Sequence, residues 1–433
     1  MEFAAMETKW IILTAAAVMY AAVIAFSGKK HWISLAAALL IVLTGSVSPV
    51  HALLHLINWN ILLIYIGSLI IAELFLYSRV PNCLADMFID ALPSAGSAVT
   101  AILIMTGIIS AFVENVATVL VMAPVALSLC KKLHITPVYF MAALAVMANL
   151  QGTATLVGDP PSMIFASYAH YGFNDFFAHQ GRLSIFFVVQ AGMIAGALYF
   201  YLYFKRAVKI GSQKIKIEKQ SILSLFPSVL LVLMIVFLAL CSFLHIEFSG
   251  LIVFALGVCG LLWYRFIRKK SVRQTGELIK NLDWETILFL IGIFVVIGTL
   301  SETGLLEEFA VFLRNITGEN KVLGFLVIVI VSMLISGFVD NVPYIIVMLP
   351  VAASLAYTMG LKGELYMFAL LVGSCMGGNL TPFGASANIA TMSILKKQGT
   401  PLSFAGWCKI GVPFTLITTA ASCAVLWLLW AHA

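Results

Sequence analysis

Charge is what this chain has least of. Asp, Glu, Lys and Arg make up 10% of its 433 residues, against a hydrophobic share of 62%, whereas a soluble domain carries roughly a quarter of its residues charged. That balance excludes a water-soluble fold. Paired cysteines are lacking too. The seven, at 83, 130, 241, 259, 375, 408 and 423, stand singly with no C-x-x-C spacing, so they read as small apolar residues and not as a redox, zinc or disulfide framework. The eight histidines, at 31, 51, 55, 134, 170, 179, 245 and 432, fall at or beyond the ends of apolar runs. No H-E-x-x-H, Walker, G-x-S-x-G or G-x-G-x-x-G sequence occurs, so no resident cofactor and no enzyme or ATP-driven pump is expected. The formal charge of +6 does not point to nucleic acid here, because basic residues of membrane proteins gather on the cytoplasmic side.

What the chain does have is a succession of apolar runs of about twenty residues, each able to cross the ~30 Å of a bilayer core. Crossings are predicted near 8–27, 32–50, 59–77, 183–204, 222–244, 248–266, 284–300 and 411–430. Two further stretches, about 92–130 and 323–359, are interrupted at the middle by Glu114-Asn115 and Asp340-Asn341, and each reads as a re-entrant hairpin. Two more, about 137–170 and 363–396, are rich in Gly, Thr, Asn and Pro at their centres and read as crossing helices unwound midway. Glu2 and Glu7 precede the first apolar run. They lack the basic start of a cleaved signal peptide, so a retained first span is expected.

Hairpins return to the side they left, whereas broken helices cross. With ten crossings and two hairpins, and both termini external, twenty of the 25 basic residues become cytoplasmic; Lys9, Arg182, Arg314, Lys321 and Lys362 are the exceptions. Turning either hairpin into a full crossing would scramble that bias. The predicted organisation is a first half over 1–204, a basic cytoplasmic linker over 205–221, and a second half over 222–433 of an inner-membrane protein.

The halves are copies. Residues 112–129, FVENVATVLVMAPVALSL, and 338–355, FVDNVPYIIVMLPVAASL, are identical at eleven of eighteen positions with an offset of 226, and the same offset carries Gly152, Thr155 and Gly158 onto Gly378, Thr381 and Gly384. The first hairpin enters from the cytoplasm and the second from outside, so the repeats are inverted, as in many secondary carriers. The fold class is thus all-α: a polytopic membrane protein of two inverted repeats with re-entrant hairpins and broken transmembrane helices.

Unpaired backbone cannot face lipid, so two hairpin tips and two helix breaks must meet around a buried or wet cavity. Asn115 and Asn341 have N-cap character, and Pro343 sits where an early-helix proline is tolerated. In GDPPS (158–162) Asp159 precedes Pro160 as a candidate N-cap, with Ser162 beyond it, and in GASAN (384–388) Ser386 takes that place. Four helix N-termini facing one point favour an anion there. Glu114 and Asp340 pull the other way. Ionised carboxylates at membrane depth are costly and mark ion paths, so sodium is expected at Glu114 with Asn115 and at Asp340 with Asn341, or a proton on each carboxylate. Simple capping of the tips is the plainer role for these four. Thr155 and Thr381 suit the satisfaction of unwound backbone, Pro124 and Pro350 are kinks, and Glu73 has the place of a snorkelling side chain.

FVENVATVL, QGTATLVGDPPSMI, FVDNVPYII and GGNLTPFGASANI resemble the ion transporter superfamily, which includes arsenite permeases, a class of sodium/proton antiporters, the melanosomal P protein and the divalent anion/sodium symporters. The resemblance spans nearly the whole chain, and GDPP after a Gly-Thr-Ala-Thr run points to the P-protein and arsenite branch. It implies a scaffold part and a moving part, elevator-like alternating access, often a homodimer, and a binding region lined by Glu114, Asn115, Thr155, Gly158, Asp159, Ser162, Asp340, Asn341, Asn379, Thr381, Gly384, Ser386 and Asn388. The dicarboxylate branch resembles Ser-Asn-Thr at its tips, where this chain has acidic-Asn-Val. The expected activity is sodium- or proton-coupled transport of a small inorganic anion or oxyacid such as arsenite. The alternatives are a sodium/proton antiporter and a dicarboxylate or citrate-type symporter.

Overall fold

The computed structural model describes residues 2–91, 95–133, 135–207, 221–246, 248–303 and 320–431. The first half folds as α1 (Glu2–Ala25), α2 (Lys30–Leu43), α3 (Trp59–Tyr77), α4 (Val80–Ala91), α5 (Ala95–Ser110), α6 (Asn115–Leu133), α7 (Val138–Gly152), α8 (Pro160–Ala169) and α9 (Ile185–Ala207). A short antiparallel hairpin, β1 (Ala178–His179) with β2 (Arg182–Leu183), precedes α9. The second half adds α10 (Phe226–Phe243), α11 (Ser249–Leu262), α12 (Val272–Lys280), α13 (Trp284–Glu302), α14 (Lys321–Ser336), α15 (Asn341–Thr358), α16 (Gly363–Gly377), α17 (Ser386–Lys397) and α18 (Phe404–Trp430). Among the described residues seven helices are long and apolar enough to cross a membrane, α3, α9, α10, α13 and α18 among them.

The repeat reappears in the element boundaries. α14 begins and ends 226 residues after α5, and α13 begins and ends 225 after α3. Sixteen residues make α5 about 24 Å long at 1.5 Å per residue, short of the hydrocarbon thickness. The chain turns at 111–114 and returns as α6; α14 and α15 repeat this around 337–340.

The halves interlock. α3 packs along α11 of the other half and α13 along α2, while α1 lies on α2 and α10 on α11. Small residues permit the close approach. A Cβ on Gly67 would lie 2.6 Å from the Val253 carbonyl oxygen, and one on Gly292 2.5 Å from the Ser34 carbonyl carbon. These six helices form one group. The hairpins, broken helices and α9 and α18 form the second, centred on α7 and α16. Both central helices lack a polar stripe, and every residue of Phe140–Gly152 and Leu365–Gly377 is buried, as expected of helices enclosed on every side. Contacts between the groups are sparse and run from α3 to α6 and α8 and from α13 to α15.

Several local expectations need correction. The run expected over 32–50 ends as helix at Leu43, because Gly45 adopts φ +74°; Ser48 then caps a new turn at Pro49–His51. α4 and α12 were not anticipated. α12 lies in a basic loop and starts with a Ser271–Gln274 capping box, a short amphipathic signal masked by flanking charge. Of the predicted linker, 208–220 lies outside the described residues, as do 304–319 with Arg314. All seven cysteines are free, but Cys259 is exposed and only Cys130, Cys241 and Cys375 are fully buried.

Candidate functional site

Each break is built the same way. At the first, the Thr155 hydroxyl donates to the Ala111 carbonyl of the hairpin tip, and at the second Thr381 donates to Gly337. The same oxygens accept from Val157 N at 3.4 Å and Phe383 N at 3.3 Å. One hydroxyl thus ties the loose end of a hairpin to the unwound stretch of a helix, satisfying backbone that lipid cannot. Gly158 and Gly384 let the chain fold back over the ends of α7 and α16, since a Cβ on either would strike the backbone of Gly152 or Gly378.

The caps differ from those the sequence suggested. Asn115 and Asn341 are the first helical residues, and the caps are the acids before them. Glu114 Oε2 accepts from Ala117 N at 2.8 Å, and Asp340 Oδ1 accepts from Val342 N at 3.1 Å. Carboxylates at helix N-termini are favoured by the dipole as well as by the bond. Ser386 likewise begins α17, with Ala385 at the cap position. Asp159 does occupy the cap position of α8, but its side chain makes no capping bond and turns into the cavity.

That cavity, about 40 Å³, lies where the two groups of helices meet. The second group supplies Glu114, Asn115, Asn149, Asp159, Asp340, Asn341 and Ser386, and the first supplies Lys30, Tyr65, Asp283 and Thr286. Four carboxylates and one ammonium therefore surround a space of only a few water volumes. Lys30 Nζ donates to Asp340 Oδ2 at 2.6 Å. Asp283 caps α13 through Thr286 N at 3.0 Å and accepts from the Tyr65 hydroxyl at 3.1 Å. Asn115 accepts from the Ser110 hydroxyl at 2.6 Å.

The other expected residues do not line this space. Thr155, Gly158, Thr381 and Gly384 shape the breaks as described, and Ser162 donates to the Gly152 carbonyl at 3.4 Å. Asn379 and Asn388 belong to a buried knot: Asn149 Nδ2 donates to both side-chain oxygens at 2.8 Å, and Asn388 Nδ2 donates to the carbonyls of Gly378 and Thr381 at 2.9 and 3.0 Å. The knot joins α7 of the first repeat to the break of the second.

Lys30, Tyr65, Asn149, Asp283 and Thr286 were missed. Lys30 and Asp283 had the appearance of loop charges, and Asn149 was the one visible signal, an amide within the apolar run AVMANLQG. A second cavity, about 460 Å³, opens between the starts of α3 and α11 and the end of α8, lined by Asn58, Asn60, Ser167, His170, His245 and Ser249 among others.

Two interlocked inverted repeats, with hairpin tips and helix breaks around a polar cavity, define a multi-pass membrane transporter. Residues 20–373 match the family described as "Citrate transporter". The chain belongs to that family, within the ion transporter superfamily. It is 32% identical over 381 residues to an uncharacterized transporter of Mycobacterium tuberculosis, covering 86% of each. It is 24% identical over 401 residues to the P protein of Homo sapiens, covering 75% of this chain and 48% of that one. In structure it is similar to the YdaH transporter of Alcanivorax borkumensis, described as having an unusual topology, with a TM-score of 0.62 at 14% identity and 98% of each chain covered. MtrF of Neisseria gonorrhoeae, described with a class of antimetabolite efflux pumps, gives 0.61 at 15% identity, covering 91% of this chain and 84% of MtrF.

Proposed function

We propose that this transporter is a secondary carrier, coupled to protons or sodium, that moves a small inorganic anion or oxyacid of the arsenite kind by alternating access across the inner membrane, with both termini external. The observation that carries this reading is the central cavity, where four carboxylates and one ammonium enclose about 40 Å³ at the seam between two helix groups. Small-molecule sites usually run to ~300 Å³ or more, so the occupant in this state is an ion or a molecule of a few heavy atoms. The wall is rich in acceptors, which suits an undissociated oxyacid donating from its O–H groups. A dissociated anion would be held by Lys30 and by the N–H groups at the start of α17, where Ser386 and Ala387 line the cavity; α8 opens on Pro160 and Pro161 and has no N–H to offer there. The coupling cation goes to Glu114 and Asn115. At the second tip, Asp340 already binds Lys30 and Val342 N, so sodium beside Asp340 and Asn341 would first have to displace the ammonium.

Two other readings have specific support. The surplus of carboxylates favours a sodium/proton antiporter, and the description of the family favours citrate. Everted vesicles separate the three. Proton or sodium flux on adding arsenite, lost in Glu114→Gln, is the expected result. A full response to sodium alone would replace this reading with antiport, and a response to citrate but not arsenite would replace it with the organic-anion reading. No flux with any of them would refute all three.

A further inference from the structure

We propose that Lys30 is the positioning residue that holds the second group of helices where it stands, and that this hold exists on one face of the protein only. The inference rests on the carrier reading above. Lys30 opens α2 in the first group, and Asp340 is the hairpin tip in the second, 310 residues away. Their charged atoms lie 2.6 Å apart with side chains 12% and 24% exposed, so the pair is largely shielded from water and salt. The ammonium also sits 5.5 Å from the centre of the Phe289 ring. Asp159 of the second group also faces it across the cavity, as do Asp283 and Glu285, which lie on its own side of the seam, at the start of α13. The last two fix Lys30 to the first group, whereas Asp340 ties it to the second. Sliding one group past the other requires that this ion pair break.

The inverted repeat shows what waits at the other end of the movement. Gly67 of α3 meets the backbone of Val253 in α11, and Gly292 of α13 meets the backbone of Ser34 in α2. That register places Ser249 where Lys30 stands, and Asn60 where Glu285 stands. Asn60 Nδ2 donates to Ser249 Oγ at 3.3 Å, so the counterpart of the charged corner is neutral. When inverted repeats exchange conformations, a carrier passes to its opposite-facing state. In that state Glu114 takes the place of Asp340 and meets a serine and an asparagine instead of an ammonium. One state is thus held by an ion pair and the other by neutral contacts. A coupling cation that takes the Asp340 carboxylate displaces Lys30 and frees the movement.

The test reads position, not flux. Spin labels at Lys269 and Gln398, exposed positions in the first and second groups, report the separation of the groups in lipid nanodiscs without substrate, with the native cysteines replaced. The wild-type chain should populate mainly one distance. Lys30→Gln should raise the population of a second distance ~fivefold, and Lys30→Asp combined with Asp340→Lys should restore the first. Ser249→Lys, which leaves the ion pair intact and gives Glu114 a partner, should raise the second distance independently. An unchanged distribution in Lys30→Gln refutes the proposal, and if that variant does not fold, an unchanged distribution in Ser249→Lys does so. A clear shift in a protein that moves no tested ion leaves the proposal standing and removes the transport reading.

Discussion

At the first hairpin tip Glu114 caps α6 through the backbone N–H groups of Val116 and Ala117, and no ammonium pairs with it among the described residues. At the second, Asp340 caps α15 with one oxygen and gives the other to Lys30. The backbone devices around the two tips are the same: a threonine donating to a tip carbonyl, and a glycine folded over a helix end. The side chains facing inward have diverged. Asn149, Asn379 and Asn388 make a closed knot of amides, whereas the residues 226 positions away from each, Cys375, Thr153 and Ser162, cannot. Duplication has preserved the frame, because the frame satisfies backbone in lipid and fails if altered. The charges answer to what the cavity binds, so they were free to become unequal.

The sharpest way to break this comparison is to exchange the tips' roles. Glu114→Gln removes the carboxylate that has no ammonium partner and should reduce vesicle uptake ~100-fold or more, since coupling then has no ionisable group at that tip. An effect below ~tenfold would mean that Asp340 is the working acid. Next comes stability. Asp340→Asn leaves Lys30 without its partner and should cost ~2–4 kcal/mol in detergent unfolding, with Lys30→Gln in the same chain recovering most of it. If the double variant is as unstable as the single, the pair is not coupled.

Third, Asn149→Ala orphans two buried amides and should cost ~2 kcal/mol, whereas Cys375→Ala at the matching position should cost ~1 kcal/mol or less. Equal losses would argue that the knot adds nothing beyond packing. The smallest effect sharpens the symmetric part: Thr155→Val and Thr381→Val should each cost ~1 kcal/mol, within a few tenths of one another. A large inequality in thermal unfolding would show that the frames are less alike than their hydrogen bonds.

Much of the frame was legible before any coordinates. The apolar run from Trp59 to Tyr77 is read directly as α3, because length and hydropathy suffice for a helix in lipid. The 226-residue offset located both breaks, because Gly, Thr and Pro interrupt helices for local reasons. Cap positions were misplaced by one residue at Asn115, Asn341 and Ser386, since each motif offers adjacent polar residues and only the turn geometry selects between them. Lys30 looked like a loop charge beside Lys29 and Asp283 like the end of a basic loop. Nothing within either segment records that the other half of the molecule covers it.

By itself, the sequence determined that the chain lies in a membrane, that it is a duplication, and where its helices break, all of which are properties of hydrophobic length and local backbone chemistry. Only the tertiary structure decided which polar residues share a cavity. Lys30 reaches Asp340 across 310 residues and Asn149 reaches Asn388 across 239, and such meetings depend on how the helices of one half interlock with those of the other. The imbalance of charge between the two tips arises at that level, from partners that lie in the opposite repeat.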